Sequence, residues 1–459
     1  MKTKTLYICS KCNYESIAYF GKCPECSSWN SLVETKIVES KSNKISSRRI
    51  FEKKELKRLE DIKSTNSHRI VTSINEFNRV MGGGIIKDSV TILSAKPGAG
   101  KSTLLLQVAN DLGNLGYKVL YASGEESESQ IKTRADRILK EINKNMWVIS
   151  DNSMDNVLEY IEEVDPDFII IDSIQTFTLD AFPSSRAGSP TQTMECAYEL
   201  VKRAKNPEKP RAVFLVGQMT KEDELAGVRA LEHLVDTVLI IEGESGEELR
   251  SLLTTKNRYG STGEMGFFNM TETGMESIDN PSEYFTSKRE EGDIVSGSAL
   301  TVVREGTRPI ILEIESLVSP SFTPYPSRIG ESMRREQLNT LVSILEQRGG
   351  IRLYDKNVVI KTTGGIKLSE QASNLAVIMS IASSVYQVGL PNDGVFIADV
   401  GLTGELKKVP SLDARLRELD RMGFKKAYLA PGSIRGNKYK NLETIEVKTL
   451  KDLIKRCFK

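Results

Sequence analysis

Val90-Thr91-Ile92-Leu93-Ser94, then Ala95-Lys96-Pro97-Gly98-Ala99-Gly100-Lys101-Ser102-Thr103, then Leu104-Leu105-Leu106-Gln107, is the stretch that decides the fold. A short apolar, β-branched strand runs into a loop of small residues, and a helical pattern follows. Small residues let successive backbone N–H groups turn inward around a phosphate chain, and the helix N-terminus adds its partial positive charge. Lys101 stands where it neutralises β- and γ-phosphate oxygens and Ser102 where it ligates Mg²⁺, so the loop from Ala95 through Lys96, Pro97, Gly98, Ala99 and Gly100 to Thr103 is expected to bind ATP. Ala95 takes the place of the first glycine of the strict pattern.

Hydrolysis needs an acidic Mg²⁺ ligand and a group that polarises water, and the flanking sequence supplies both. Phe168-Ile169-Ile170-Ile171-Asp172-Ser173 reads as a buried parallel strand ending in a carboxylate, so Asp172 is the expected second magnesium ligand. Val119-Leu120-Tyr121-Ala122-Ser123-Gly124-Glu125-Glu126 is a strand finishing in two acids; Glu125 is the expected general base and Glu126 the reserve candidate. Further strands are expected at 212–216, 237–241 and 249–255, with helices at 191–205 and 224–234. This alternation predicts an α/β core built on a largely parallel sheet. Gln218, at the end of its strand, is either a γ-phosphate sensor or a loop amide. Lys256 and Arg258, two positions apart on an extended segment, project to one side; in a ring of subunits they would enter the neighbour's site as a finger.

Four of the six cysteines crowd into the first 26 residues as Cys9, Cys12, Cys23 and Cys26. Two C-x2-C knuckles each present a pair of thiolates, the donor set of a structural Zn²⁺ ribbon over residues 1–34; an iron–sulfur cluster fits four sulfurs too, but nothing else here calls for redox chemistry. Tyr7, Tyr14, Tyr19 and Trp29 are the expected cover. Cys196 and Cys457 are isolated. Residues 35–67 are polar and basic, with Arg48, Arg49, Lys53 and Lys54, and read as a linker. At 459 residues the chain exceeds one hydrophobic core, and 39% hydrophobic with 27% charged residues is globular composition. Lys plus Arg total 63 against 62 acids, which excludes a globally basic coat; the first 70 residues, with 15 basic and 8 acidic side chains, carry the local excess. Met1–Leu6 lacks a following apolar run and no stretch is long enough to span a bilayer, so no membrane association and a cytoplasmic setting are expected.

These knuckles, the Gly82-Gly83-Gly84 run, the phosphate loop, Tyr121 to Ser127, Leu231-Glu232-His233-Leu234-Val235-Asp236-Thr237-Val238-Leu239 and Lys256-Asn257-Arg258-Tyr259-Gly260 together resemble the RadA (Sms) family of bacterial DNA repair proteins. The resemblance covers nearly the whole chain. It implies a RecA-like ATPase core over residues 68–284 that assembles into hexameric rings on single-stranded DNA and drives branch migration of branched recombination intermediates with the RecA recombinase. Tyr259 stands where Phe is usual, Gln218 where His is common, and Met194 where a basic residue is usual in the turn from Gln192 to Glu195. Arg186, Lys221 and Arg229, in the loops after the central strands, are the expected DNA contacts.

Residues 285–459 resemble the proteolytic domain of Lon proteases, most clearly at Val400-Gly401-Leu402-Thr403-Gly404-Glu405-Leu406, and so imply an α+β domain. Alignment on Glu370-Gln371-Ala372-Ser373-Asn374 puts Ala372 at the serine nucleophile, and alignment on Val409-Pro410-Ser411-Leu412-Asp413 puts Asp413 at its lysine partner. Both halves of that dyad are missing, and no proteolysis is expected. Lys425, Lys426 and Lys438 offer basic surface there. A RecA-fold signalling ATPase uncoupled from DNA, or an ATP-fuelled Lon-like protease, are the competing readings.

Overall fold

The computed structural model describes residues 2–11, 14–16, 18–39, 58, 60, 69–218, 227–243, 246–287, 289, 295–434, 436 and 439–458. The chain forms two compact units, 1–66 and 67–459. The first is a three-stranded antiparallel sheet in which β1 (Lys2–Cys9) lies between β2 (Glu15–Ser16) and β3 (Leu32–Glu39). Among the described residues, its core includes Cys9, Cys23 and Leu32, with Tyr7, Tyr14 and Cys26 packed around them. Strand β3 pairs with β1 as far as Glu39. One expectation needs correction. Trp29 is 74% exposed and Tyr19 53%, so neither covers the knuckles. Arg48, Arg49, Lys53 and Lys54 lie outside the described residues.

The second unit is built on two sheets. After α1 (Asn75–Val80), the first runs through β4 (Val90–Ala95), α2 (Lys101–Asn114), β5 (Val119–Ser123), α3 (Glu128–Ile138), β6 (Met146–Ser150), α4 (Met154–Val164), β7 (Phe168–Asp172), α5 (Pro190–Ala204), β8 (Ala212–Gln218), α6 (Gly227–Leu234), β9 (Thr237–Glu242), β10 (Leu249–Asn257), β11 (Met265–Thr271) and β12 (Gly274–Ser277). Spatial order is β12-β11-β10-β9-β4-β8-β7-β5-β6. The six strands from β9 to β6 are parallel, and every residue of β4 is buried, as expected of strands covered by helices on both faces. Helix α2 lays Leu104, Leu105, Val108, Ala109 and Leu112 on the sheet, at the i, i+4 and i+7 spacing of one helix face. The expected strand at 249–255 exists, but β10, β11 and β12 pair antiparallel and extend the sheet as a meander. The expected turn from Gln192 to Glu195 is the first turn of α5, entered through the Ser189 cap and Pro190, and Met194 packs onto the core.

The second sheet follows α7 (Pro281–Tyr284) and consists of β13 (Ser298–Glu305), β14 (Arg308–Pro320), β15 (Arg328–Gly330), β16 (Lys356–Thr362), β17 (Gly394–Ile397), β20 (Lys426–Leu429) and β21 (Glu443–Glu446) in the order β15-β16-β14-β13-β17-β20-β21. The small hairpin β18 (Asp399–Val400) and β19 (Leu406–Lys407) lies apart from it. Helices α8 (Arg335–Ile344), α9 (Asn374–Tyr386), α10 (Leu412–Arg421) and α11 (Leu450–Phe458) complete this α+β half. Its core includes Phe267 of β11, whose ring meets Phe285 edge-on with centroids 5.3 Å apart, so the two sheets share apolar packing. Among the described residues, no helix is long and apolar enough to cross a membrane.

Candidate ATP and metal sites

Parallel strands bring their carboxyl ends to one edge, where ligands of open α/β sheets bind. At that edge β4 delivers the phosphate loop, β8 delivers Gln218, β7 delivers Asp172 and β5 delivers Glu125. The loop depends on glycine at two places. Gly98 and Gly100 have φ of +77° and +105°. A Cβ on Gly100 would also stand 2.5 Å from Met270 Cε and 3.0 Å from Met275 Sδ, so the antiparallel meander roofs the start of α2. Lys101 Nζ donates to the carbonyls of Ala95 (3.1 Å) and Lys96 (3.3 Å). Burial lowers its pKa, while Asp172 and Glu125 act in the opposite sense.

Ser102 Oγ donates to Asp172 Oδ2 at 2.6 Å, and the buried Tyr121 hydroxyl donates to the same oxygen at 2.5 Å. Burial, together with the adjacent Asp172 carboxylate, pushes the Tyr121 phenol well above its usual range, so Tyr121 stays a neutral donor that fixes Asp172. A hydroxyl and a carboxylate this close are the oxygen donors that Mg²⁺ shares with phosphate.

The two glutamates separate clearly. Glu125 Oε1 accepts from Ser173 Oγ at 2.6 Å, and the Gln218 amide donates to its two oxygens at 2.8 and 3.1 Å. Glu126 is taken up by Arg134, whose guanidinium grips both its oxygens, one at 2.7 Å. The guanidinium therefore occupies Glu126, whereas Glu125 is held by neutral donors at the sheet edge. Gly124 precedes it because a Cβ there would collide with the Thr176 hydroxyl.

The opposite edge holds the second cationic group. Asp236, 1% exposed, accepts from Val90 N (3.0 Å), Lys205 Nζ (3.0 Å) and Arg258 Nη1 (3.0 Å). Val90 opens β4 and Ala95 closes it, so Arg258 stands roughly 17 Å along the strand from the phosphate loop of its own chain. Lys256 does not share the free face expected of it: its ammonium donates to the carbonyls of Glu232 and Val235 (2.9 Å) at the end of α6. Burial, then Arg258, lowers its pKa. Arg258 alone keeps a half-exposed guanidinium, at 52%. Gly82 packs against Gly260, where an added Cβ on either would stand 3.3 or 3.2 Å from the other's Cα, and a Cβ on Gly84 would strike the Ile70 carbonyl oxygen at 2.6 Å.

Arg186 is exposed in the loop after β7, and Gln192 ties that loop down through Leu179, Phe182 and Ser185. Lys221 and the side chain of Arg229 lie outside the described residues. In the first unit, the sulfurs of Cys9, Cys23 and Cys26 lie within 4.8 Å of one another, and those of Cys9 and Cys26 are 3.5 Å apart. Soft thiolates this close suit tetrahedral zinc; Cys12 lies outside the described residues. Cys196 is buried and its thiol is pushed up to about 12, the state of an inert core cysteine. In the second sheet Ala372 is buried, Ser373 Oγ donates to the Glu370 carbonyl (2.8 Å), and Asp413 accepts from Tyr439 (3.0 Å) and Arg417 (2.5 Å). Lys425 is exposed, and Lys438 lies outside the described residues.

Residues 7–34 match a family described as a rubredoxin metal-binding domain, and residues 54–224 match an AAA domain. Over 457 residues the chain is 40% identical to the DNA repair protein RadA of Bacillus subtilis, covering 99% of this chain and 98% of that one. Against the DNA repair protein RadA of Listeria monocytogenes the identity is 39% over 458 residues, with 99% and 98% covered. Among solved structures, a KaiC-like protein from Pyrococcus horikoshii aligns with 46% of this chain and 99% of its own at 18% identity, with a TM-score of 0.38.

Proposed function

Because the chain belongs to the RadA family of bacterial DNA repair proteins, we propose that it is a DNA-dependent ATPase, a ring-shaped motor on single-stranded DNA that moves branched recombination intermediates together with RecA. The observation that carries the reading is the convergence of Lys101, Ser102, Asp172 and Glu125 at one sheet edge while Arg258 stands at the other. In the proposed cycle, backbone N–H groups of 98–102 and Lys101 hold the β- and γ-phosphates of ATP. Ser102 and Asp172 would hold Mg²⁺, which when bound draws charge from the γ-phosphate oxygens. Glu125, oriented by Ser173 and Gln218, takes the proton from the attacking water. Arg258 of an adjoining subunit, most naturally in a hexamer, releases Asp236 and meets the charge that builds on the transferred phosphoryl group. Gln218 joins the catalytic base to β8, and the segment after β8 includes Lys221; with Arg186 and Arg229 it would track a DNA backbone, so that strand contact and hydrolysis drive one another. The zinc ribbon, on this reading, serves partner contact, and the second sheet serves assembly rather than proteolysis, since Ala372 offers no nucleophile. The test is ATP turnover by the purified protein with and without a single-stranded oligonucleotide. Stimulation of about tenfold or more is expected; the same rate in both would leave the signalling reading in its place.

A further inference from the structure

The chain between β10 and β11, residues 258–264, begins with Arg258 and ends with Glu264. Its first end is fixed by Asp236, whose carbonyl accepts from Arg258 N at 3.0 Å and whose carboxylate accepts from the guanidinium. Its far end is held from outside the ATPase sheet. Glu264, 6% exposed, accepts from Arg79 Nη2 of α1 (3.4 Å) and from the Thr307 hydroxyl, and Thr307 lies in the turn joining β13 to β14 of the second sheet. In the same turn Gly306, with φ of +63°, presses its backbone onto the loop: an added Cβ would strike the Gly263 carbonyl oxygen and stand 2.9 Å from Glu264 Cα. Arg308, the next residue, donates to buried Glu76 of α1 (2.8 Å) and to the Asp279 carbonyl (2.5 Å). Glu76 in turn accepts from Phe267 N of β11 (2.9 Å). Three consecutive residues at the β13–β14 turn therefore hold the finger loop and the helix behind it, and that helix holds the strand leaving the loop.

Resting on the reading of Arg258 as a finger, we propose that this turn, Gly306-Thr307-Arg308, positions Arg258 for phosphoryl transfer, so that the second sheet sets the catalytic rate of the first. Thr307 and Gly306 are positioning residues; neither touches nucleotide. A glycine-to-carbonyl approach and a hydroxyl on a nearly buried carboxylate transmit displacement because neither can slide without losing contact or leaving a charge unsolvated. A cavity of about 300 Å³ between Arg79, Gly82, Gly260 and Thr307 gives the loop room to move if the grip is lost.

The experiment is a double-mutant cycle on the full-length protein, measuring ATP turnover, KM for ATP and assembly size with a single-stranded oligonucleotide present. Thr307→Val is expected to lower kcat about fivefold with KM and assembly unchanged, while Thr307→Ser, which keeps the hydroxyl, stays near wild type. In an Arg258→Ala background Thr307→Val is expected to cost nothing further. Gly306→Ala is expected to act like Thr307→Val and, again, only where Arg258 is present. Wild-type kcat in Thr307→Val, an equal fold loss in the Arg258→Ala background, or a loss that tracks disassembly would each overturn the proposal. Wild-type turnover in Arg258→Ala alone is the different outcome that removes the finger reading and this inference with it.

Discussion

The two sheets of the second unit both carry buried or half-buried ionic groups, yet they use them differently. At the carboxyl edge of the nine-stranded sheet, Lys101 donates to backbone carbonyls of its own loop, Ser102 donates to Asp172, and Gln218 donates to Glu125. In the seven-stranded sheet Arg415 is fully buried and donates to both oxygens of Glu370 (3.0 and 2.8 Å) and to the Val302 carbonyl, ties that lock β13 to α10. Lys101 is tied to its own loop, whereas Arg415 ties one element of the fold to another.

Breaking each region should therefore fail in a different currency of measurement. Lys101→Ala is expected to reduce ATP turnover on the order of a thousandfold and to weaken nucleotide binding, with the thermal midpoint nearly unchanged; phosphate release and titration with a fluorescent nucleotide check it. Glu125→Gln should cut kcat on the order of a hundredfold while ATP still binds. Glu126→Gln, acting on an ion pair rather than on the water, should stay within about threefold in the same assay. In the seven-stranded sheet, Arg415→Ala takes the guanidinium from the Glu370 carboxylate, which keeps the Arg304 N–H (2.9 Å), and from the Val302 carbonyl, and should cost about 3 kcal/mol in urea unfolding, with turnover per folded molecule retained.

The smallest effect lies where the sheets face each other. Glu305 is pushed up to about 7, first by burial and then by Glu370 and Glu242. The folded state thus holds a proton that the unfolded chain releases near the usual carboxylate range, and stability falls as pH rises from about 4.5 toward 7 before levelling off. Glu305→Gln should flatten that slope, stabilising the protein by roughly 1 kcal/mol at pH 8 and leaving it unchanged at pH 4; thermal melts at the two pH values decide it.

What could be read from the sequence was local. The phosphate loop, Asp172 and Glu125 stand at strand ends within a few residues of their motifs, and the β-branched runs of β4 and β7 announced buried strands. The residues that hold them did not announce themselves: Tyr121 reaches Asp172 across 51 positions, and Val90 reaches Asp236 across 146. Such contacts depend on strand order, which no local pattern encodes. Strand β6 is partly exposed and its sequence lacks clean apolar alternation, and the direction of β10 to β12 is a matter of pairing, not propensity. For Lys256, spacing gives the side of a strand but not the helix end waiting there. Aromatic composition near the knuckles does not tell which rings pack: Tyr7 and Tyr14 lie against the cysteines, while Trp29 is exposed.

The central claim, that one subunit's phosphate loop is completed by another's Arg258, is tested most directly by mixing two inactive proteins. Lys101→Ala and Arg258→Ala are each expected to turn over ATP poorly alone. Co-assembled with a single-stranded oligonucleotide, they should recover up to about a quarter of the wild-type rate, because random mixing pairs an intact loop with an intact finger at that fraction of interfaces. A mixture no faster than the sum of its two components would contradict the account.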